Sequence, residues 1–228
     1  MSEQQATRVL AIRHGETAWN AGSRIQGQLD IPLNAMGEWQ VNQLAGAVAD
    51  EGIDAIYSSD LSRAFMTAQA VSRGAGGVSV VTDKGLRERG FGIFEGLTYA
   101  EISERWPQES ERWRKRDASF GAEGGETLQA FYSRSIETAT RLAALHPGQT
   151  IALVSHGGVM DCLYRAASRV SLDAPRSWRV DNASINRLLY TPQGFTLIGW
   201  SDIHHLEGRT LDEPGEQFGP VVAAERAA

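Results

Sequence analysis

Val9-Leu10-Ala11-Ile12-Arg13-His14-Gly15-Glu16-Thr17, near the start of the chain, is a short apolar run halted by an arginine, a histidine and a glycine. A run of this length, ended by Gly, reads as a buried strand whose C-terminal end opens into a loop. In open α/β sheets, ligands bind outside the carboxyl ends of the strands. Arg13 and His14 therefore stand together where chemistry is usual, although a salt-bridged arginine beside a structural histidine explains the pair equally well. A second run breaks the tie. Ile151-Ala152-Leu153-Val154 is again wholly apolar and ends in Ser155-His156-Gly157-Gly158. Two buried strands thus end alike, each with an imidazole followed by Gly where the backbone must approach something closely.

The chain between them alternates strand and helix. Asn34 is an N-cap for a helix over 35–50, with Val41, Leu44, Ala45 and Val48 on one face and Gly52 as the stop. Ala55-Ile56-Tyr57 is a second strand running into Ser58-Ser59-Asp60, and the helix that follows carries Arg63 in its first turn. Residues 78–81 form a third strand. Successive strand–helix units predict a three-layer α/β/α sandwich around a mostly parallel sheet with right-handed crossovers.

Residues 86–97 are rich in Gly and polar side chains and read as irregular. Two short helices, 99–106 and 108–116, are split by Pro107. With the loop to Gly125 they form a small helical cap insertion, about 90–126. The clearest helix spans 127–145, with Leu128, Phe131, Tyr132, Ser135, Ala139 and Leu142 as its inner stripe. A helix over 159–168 precedes a hairpin of 185–190 and 195–200 across Thr191-Pro192-Gln193-Gly194. The whole is expected to be a single domain, its core about 8–200, with a poorly ordered polar tail over 206–228.

Composition excludes several classes. The 228 residues, 42% apolar and 22% charged, suit one ordinary globular core. No apolar stretch reaches the length of a membrane span, and residues 1–7 lack a signal peptide's apolar segment, so no membrane association is expected. Cys162 is the only cysteine, which precludes an internal disulfide and suits a cytoplasmic protein. A net charge of −6 argues against a nucleic-acid partner. An anionic small molecule is still compatible if its arginines are gathered in one site. Two histidines without HExxH or CxxC spacing give no reason to expect a metal. G-x-S-x-G and G-x-x-x-x-G-K-[ST] are both absent from the sequence. What remains is a cationic pocket suited to a phosphoryl group, with an imidazole able to act as nucleophile.

"LAIRHGETAWN", "SSDLSRAFMTA", "LRERGFGIFEGLT" and "ALVSHGGVM" together resemble the histidine phosphatase superfamily, which has the phosphoglycerate mutase-like fold. The resemblance covers about residues 8–200 in order. It implies that His14 takes the phosphoryl group as phosphohistidine, that Arg13, Arg63 and His156 clamp the phosphoryl oxygens, and that Glu88 is the general acid. Acid duty suits a carboxyl whose pKa is raised by burial; a competing reading pairs Glu88 with Arg87 or Arg89. Asn20, Gln26, and the backbones of Gly27 and Gly157 fall where the family contacts phosphate or substrate. Ser58 and Asp60 are expected to shape the turn presenting Arg63, and His146, His204 and His205 to be surface or tail residues.

The family holds both phosphatases and mutases. About 30 residues separate Gly96 from Gly125, Phe91 stands where the dimeric mutases place Tyr, and Gly124-Gly125-Glu126-Thr127 resembles the short-insert phosphatases. These features favour a phosphomonoester hydrolase acting on small anionic phosphate esters without a cofactor. The alternative is a phosphoglycerate mutase, which alone would need a 2,3-bisphosphoglycerate primer; a non-catalytic phospho-ligand module is a more distant one. Trp113-Arg114-Lys115-Arg116 resembles the mutases' carboxylate-gripping arginines. The run reads either as a solvated basic face or as an anion filter at the pocket mouth, and on either reading changes at Arg114, Lys115 or Arg116 are expected to raise KM more than they lower kcat. Cap and edge strands leave surfaces for a homodimer.

Overall fold

The computed structural model describes residues 5–207. Six strands form one sheet: β1 (Thr7–Arg13), β2 (Ala55–Ser58), β3 (Val80–Thr82), β4 (Thr150–Ser155), β5 (Ile185–Thr191) and β6 (Gly194–Asp202), in the order β3-β2-β4-β1-β5-β6. The first four are mutually parallel, and the β5–β6 hairpin continues the sheet antiparallel to β1. The α-helices are α1 (Ala18–Ala21), α2 (Ala35–Ala47), α3 (Ser62–Gly74), α4 (Tyr99–Arg105), α5 (Pro107–Arg114), α6 (Leu128–Ala144) and α7 (Gly157–Ser168), and short 3-10 turns lie at Lys84–Leu86, Gly92–Phe94 and His204–Leu206. The expected sandwich is present.

β1 and β4 lie at the centre of the sheet, which explains why their sequences do not alternate: both faces are covered. Val9, Ala11, Ile151 and Leu153 pack towards α6 and α7, while Leu10, Ile12, Ala152 and Val154 pack towards α2 and α3. Each fully buried Leu or Ile there contributes about 1.5–3 kcal/mol. Their register pairs Arg13 with Ser155, so the two strands end level and the residues after them, His14 and His156, become neighbours.

Asn34 caps α2 as expected, its side chain accepting from the Gly37 N–H at 2.8 Å. The cap has an aromatic core of its own. Phe94, Ile102, Trp113 and Phe120 are buried together, and the Trp113 ring lies 5.4–5.7 Å from those of Phe91, Phe94 and Tyr99. Inward-facing Trp113 turns its successors away, since adjacent helical residues do not share a face. α7 begins at Gly157, two residues earlier than the apolar pattern suggests, and makes His156 its N-cap. Most of the polar tail lies outside the described residues.

Candidate active site

β1 delivers Arg13 and His14 to the carboxyl edge of the sheet, and β4 with the start of α7 delivers His156 and Gly157 beside them. The His14 and His156 rings sit edge to face, centroids 5.2 Å apart. Nδ1 of His14 meets the Gly15 carbonyl at 2.6 Å. A carbonyl can only accept, so Nδ1 carries the proton and Nε2 holds the lone pair. Burial, then the charges of Arg63 and Arg13, hold the His14 pKa well below the usual imidazole value. His156 is lowered too, again chiefly by burial and then by Arg63, so both rings are neutral near pH 7. Both ring nitrogens of His156 are buried without a hydrogen-bond partner among the described residues. Both nitrogens are thus available for hydrogen bonds at this edge of the sheet.

Arg63 is fully buried in the first turn of α3. Its Nη1 donates to the Leu29 carbonyl and its Nη2 to the Gly27 carbonyl, both at 2.8 Å. Burial lowers its pKa to about 10, which still leaves it cationic at neutral pH. One turn further on, the Thr67 hydroxyl donates to the Arg63 carbonyl and accepts from the Gly15 N–H, tying α3 to the loop after β1. Arg13 donates from Nη1 to the Val180 carbonyl. Helix α7, beginning at Gly157, adds the positive N-terminal end of a 12-residue helix to this cationic ground.

Glu88 is half-buried at the same edge. Its Oε2 accepts from the Gly158 N–H at 2.9 Å and its Oε1 from the Arg89 N–H at 2.7 Å. The ion pair weighed from sequence lies elsewhere for Arg87, which grips Asp60 with two bonds of 2.6 and 2.7 Å. Asp60 thereby steadies the Glu88 segment as well as the turn before Arg63. The Arg89 guanidinium runs to the carbonyls of Phe120 and Glu126. Gly158 has no room for a side chain: a Cβ would lie 2.2 Å from Glu88 Oε1 and 3.0 Å from the Phe131 ring. Gly158→Ala is therefore expected to displace the carboxyl and lower kcat about 100-fold, the cost of misplacing a reacting group by an ångström. Steady-state kinetics beside a thermal melt checks this; an unchanged kcat with a lowered Tm would assign the glycine to packing alone.

One pocket collects Arg13, His14, Asn20, Gln26, Gly27, Arg63, Glu88 and Gly157, with Arg24, Ile25 and Phe91 at its outer wall. Asn20 and Gln26 are braced by Thr17, whose hydroxyl lies 3.0 Å from Asn20 Oδ1 and 3.0 Å from Gln26 Oε1. His156 is not itself among the lining residues but lies directly behind them, against the His14 ring, whereas Arg114, Lys115 and Arg116 are neither lining residues nor held towards the pocket, which corrects the anion-filter reading. Lys115 pairs with Glu111 at 2.8 Å on the exposed face of α5, and Arg114 lies 3.9 Å from the same carboxylate. Arg116 is not solvated either: its Nη2 meets Asp161 at 2.7 Å and its Nε the Leu172 carbonyl, pinning the cap to α7.

Sequence reading overlooked three supports. Arg134 grips Glu126 with two bonds of 2.8 and 2.7 Å and also holds the carbonyls of Gly85, Arg87 and Glu88. Glu95 accepts from the N–H groups of Gln28 and Phe91. Asn182, far along the chain, donates to the His14 carbonyl at 2.9 Å. The "GGET" stretch signals Glu126, but no motif signals its partner eight residues on. His146 meets the Tyr57 hydroxyl at 2.8 Å, and His205 is half-buried against the Ala183 carbonyl, so neither is a bare surface residue. Among the described residues no three His, Cys, Asp or Glu side chains cluster as a metal site, and no helix is long and apolar enough to cross a membrane.

A mostly parallel sheet presenting two imidazoles, two guanidiniums and a helix N-terminus at one edge defines an α/β protein with a cationic site at the carboxyl ends of its central strands. Residues 9–203 match the model of the histidine phosphatase superfamily, branch 1. The chain is 37% identical over 202 residues to phosphoglycerate mutase-like protein 4 of Arabidopsis thaliana, covering 87% of this chain and 86% of that one. Among solved structures, a mycobacterial glucosyl-3-phosphoglycerate phosphatase in complex with VO3 is 32% identical with a TM-score of 0.76, over 85% of this chain and 98% of that one. A phosphoserine phosphatase from Entamoeba histolytica in complex with phosphoserine is 26% identical with a TM-score of 0.79, over 88% and 99%. The chain belongs to the histidine phosphatase superfamily.

Proposed function

We infer that the chain is a phosphomonoester hydrolase working through a phosphohistidine on His14. The observation that carries this reading is the Nδ1 contact to Gly15, which leaves a neutral Nε2 lone pair in a pocket lined by Arg13 and Arg63. In the first step Nε2 attacks phosphorus, the bond to the leaving oxygen breaks, and the Glu88 carboxyl gives that oxygen its proton. In the second, Glu88 takes a proton from water as the water oxygen attacks phosphorus. The P–N bond then breaks, and phosphate departs. Arg13, Arg63, His156 and the Gly157 N–H would hold the equatorial oxygens throughout, since phosphoryl transfer is governed by positioning and charge. Asn20, Gln26 and Gly27 shape the wall around the ester. On this reading no metal or organic cofactor takes part.

Hydrolysis is favoured over mutase chemistry by the short cap and by the absence of Arg114, Lys115 and Arg116 from the pocket. The names of the similar phosphatases, acting on glucosyl-3-phosphoglycerate and phosphoserine, are consistent with small anionic esters. Mutase chemistry is the second reading, favoured by the 37% identity to the mutase-like relative. Incubation with 3-phosphoglycerate, with and without 2,3-bisphosphoglycerate, separates the two. Phosphate is expected to appear faster than 2-phosphoglycerate; the reverse order would overturn the hydrolase assignment.

A further inference from the structure

Among the described residues lining the pocket, Arg24 is the cation that the phosphoryl clamp does not use. Ser23, at φ 51°, turns the chain after α1 so that Arg24 and Ile25 run against the start of the cap. Arg24 bridges to Thr98, the Ile25 N–H donates to the Leu97 carbonyl at 2.9 Å, and the Gly96 N–H donates to the Ile25 carbonyl at 2.8 Å. This miniature ladder fixes the Arg24 backbone at the mouth. Its side chain is 41% exposed and lines the pocket beside Ile25 and Phe91.

Among the described residues, two partners hold the guanidinium, both through Nη1. Nη1 donates to the Gly96 carbonyl at 2.7 Å and to Glu101 Oε2 at 3.2 Å. The other edge, Nε with Nη2, is the one that takes a carboxylate or phosphate side-on with two parallel bonds. Glu101 does not neutralise it strongly: an exposed pair is weak, and the Glu101 carboxylate is shared with the Thr98 N–H at 2.7 Å and the Thr98 hydroxyl at 3.0 Å. Beyond the phosphoryl group the ester therefore meets two apolar side chains and one cation with an open edge.

We propose that Arg24 is the specificity-determining residue of this pocket, reading a second anionic group on the leaving group. The inference rests on the hydrolase reading above. A substrate of this class carries its phosphate on a short carbon skeleton that lies against Ile25 and Phe91 and ends in a carboxylate or similar anion. Arg24 touches neither the phosphorus nor the leaving oxygen, so its contribution is to substrate binding.

The test compares 3-phosphoglycerate with glycerol 3-phosphate, which differ by a carboxylate against a hydroxymethyl group. The quantity read is the ratio of their kcat/KM values. Wild type is expected to favour the carboxylate ester, and Arg24→Met to lower that ratio about tenfold through KM, the scale of one hydrogen-bonded charge. Glu101→Gln severs the ion pair but keeps the cation, so the ratio should hold or rise. If the ratio is unchanged in Arg24→Met, or falls equally in Glu101→Gln, Arg24 is a strut between loop and cap and the proposal is wrong. A wild-type ratio near one, with both esters consumed, overturns it alone. Failure of wild type to consume either ester overturns the hydrolase reading as well.

Discussion

His14→Ala is expected to lower kcat by about 10⁴-fold or more and to abolish covalent labelling of the protein by phosphate esters, as loss of a nucleophile does elsewhere. No neighbouring group can take over. His156 is neutral and lies beside His14, but it follows a different strand, so a phosphorus placed for His14 is not in line with it. Arg13 and Arg63 remain, and the variant should still bind phosphate esters. Brief incubation with ³²P-labelled substrate, quenched in alkali to spare the acid-labile P–N bond, reads the effect directly. A labelled His14→Ala protein with turnover within tenfold of wild type would remove His14 from the mechanism.

Glu88→Gln should act unevenly across substrates. An alkyl ester leaves as a strongly basic alkoxide and needs the proton, so its kcat is expected to fall 10²–10⁴-fold, the usual share of general acid–base catalysis. The leaving group of p-nitrophenyl phosphate is a weak base, and its departure should be nearly unaffected. Release of phosphate from the phosphoenzyme still needs a base, so the variant should show a burst of nitrophenol equal to the enzyme present and then a slow steady state. Gln also meets two N–H donors, from Gly158 and Arg89, with only one acceptor oxygen, so one contact becomes donor against donor. Equal losses on both substrates with no burst would mean that the residue only shapes the start of α7.

How far the chain could be read depended on whether a side chain's task was local. β1 and β4 announced themselves because strands buried on both faces are apolar throughout, and the His-Gly ending of each marked the site edge. Their adjacency did not follow from any periodicity. It required a sheet order in which β4 enters between β1 and β2. The basic run misled because charge was visible and rotation was not: Trp113 fills the cap core, which swings Arg114 and Lys115 outward, while Arg116 is drawn to Asp161. Arg24 was passed over for the opposite reason. It is an exposed arginine in a polar loop, and only the pairing with residues 96–98 places it at the pocket.

The position of β4 also orders events in the life of the molecule. β1, β2 and β3 leave the ribosome first, yet β1 and β2 share no ladder until β4 fills the gap between them. His14 emerges early and has no His156, Gly157 or Gly158 beside it until most of the chain has been made. Parallel pairing over such a separation is slow to form, because a long loop must close before any contact is gained. The growing polypeptide therefore carries His14 without its neighbour, and the last parallel strand to be synthesised both joins the two halves of the sheet and sets His156 beside it.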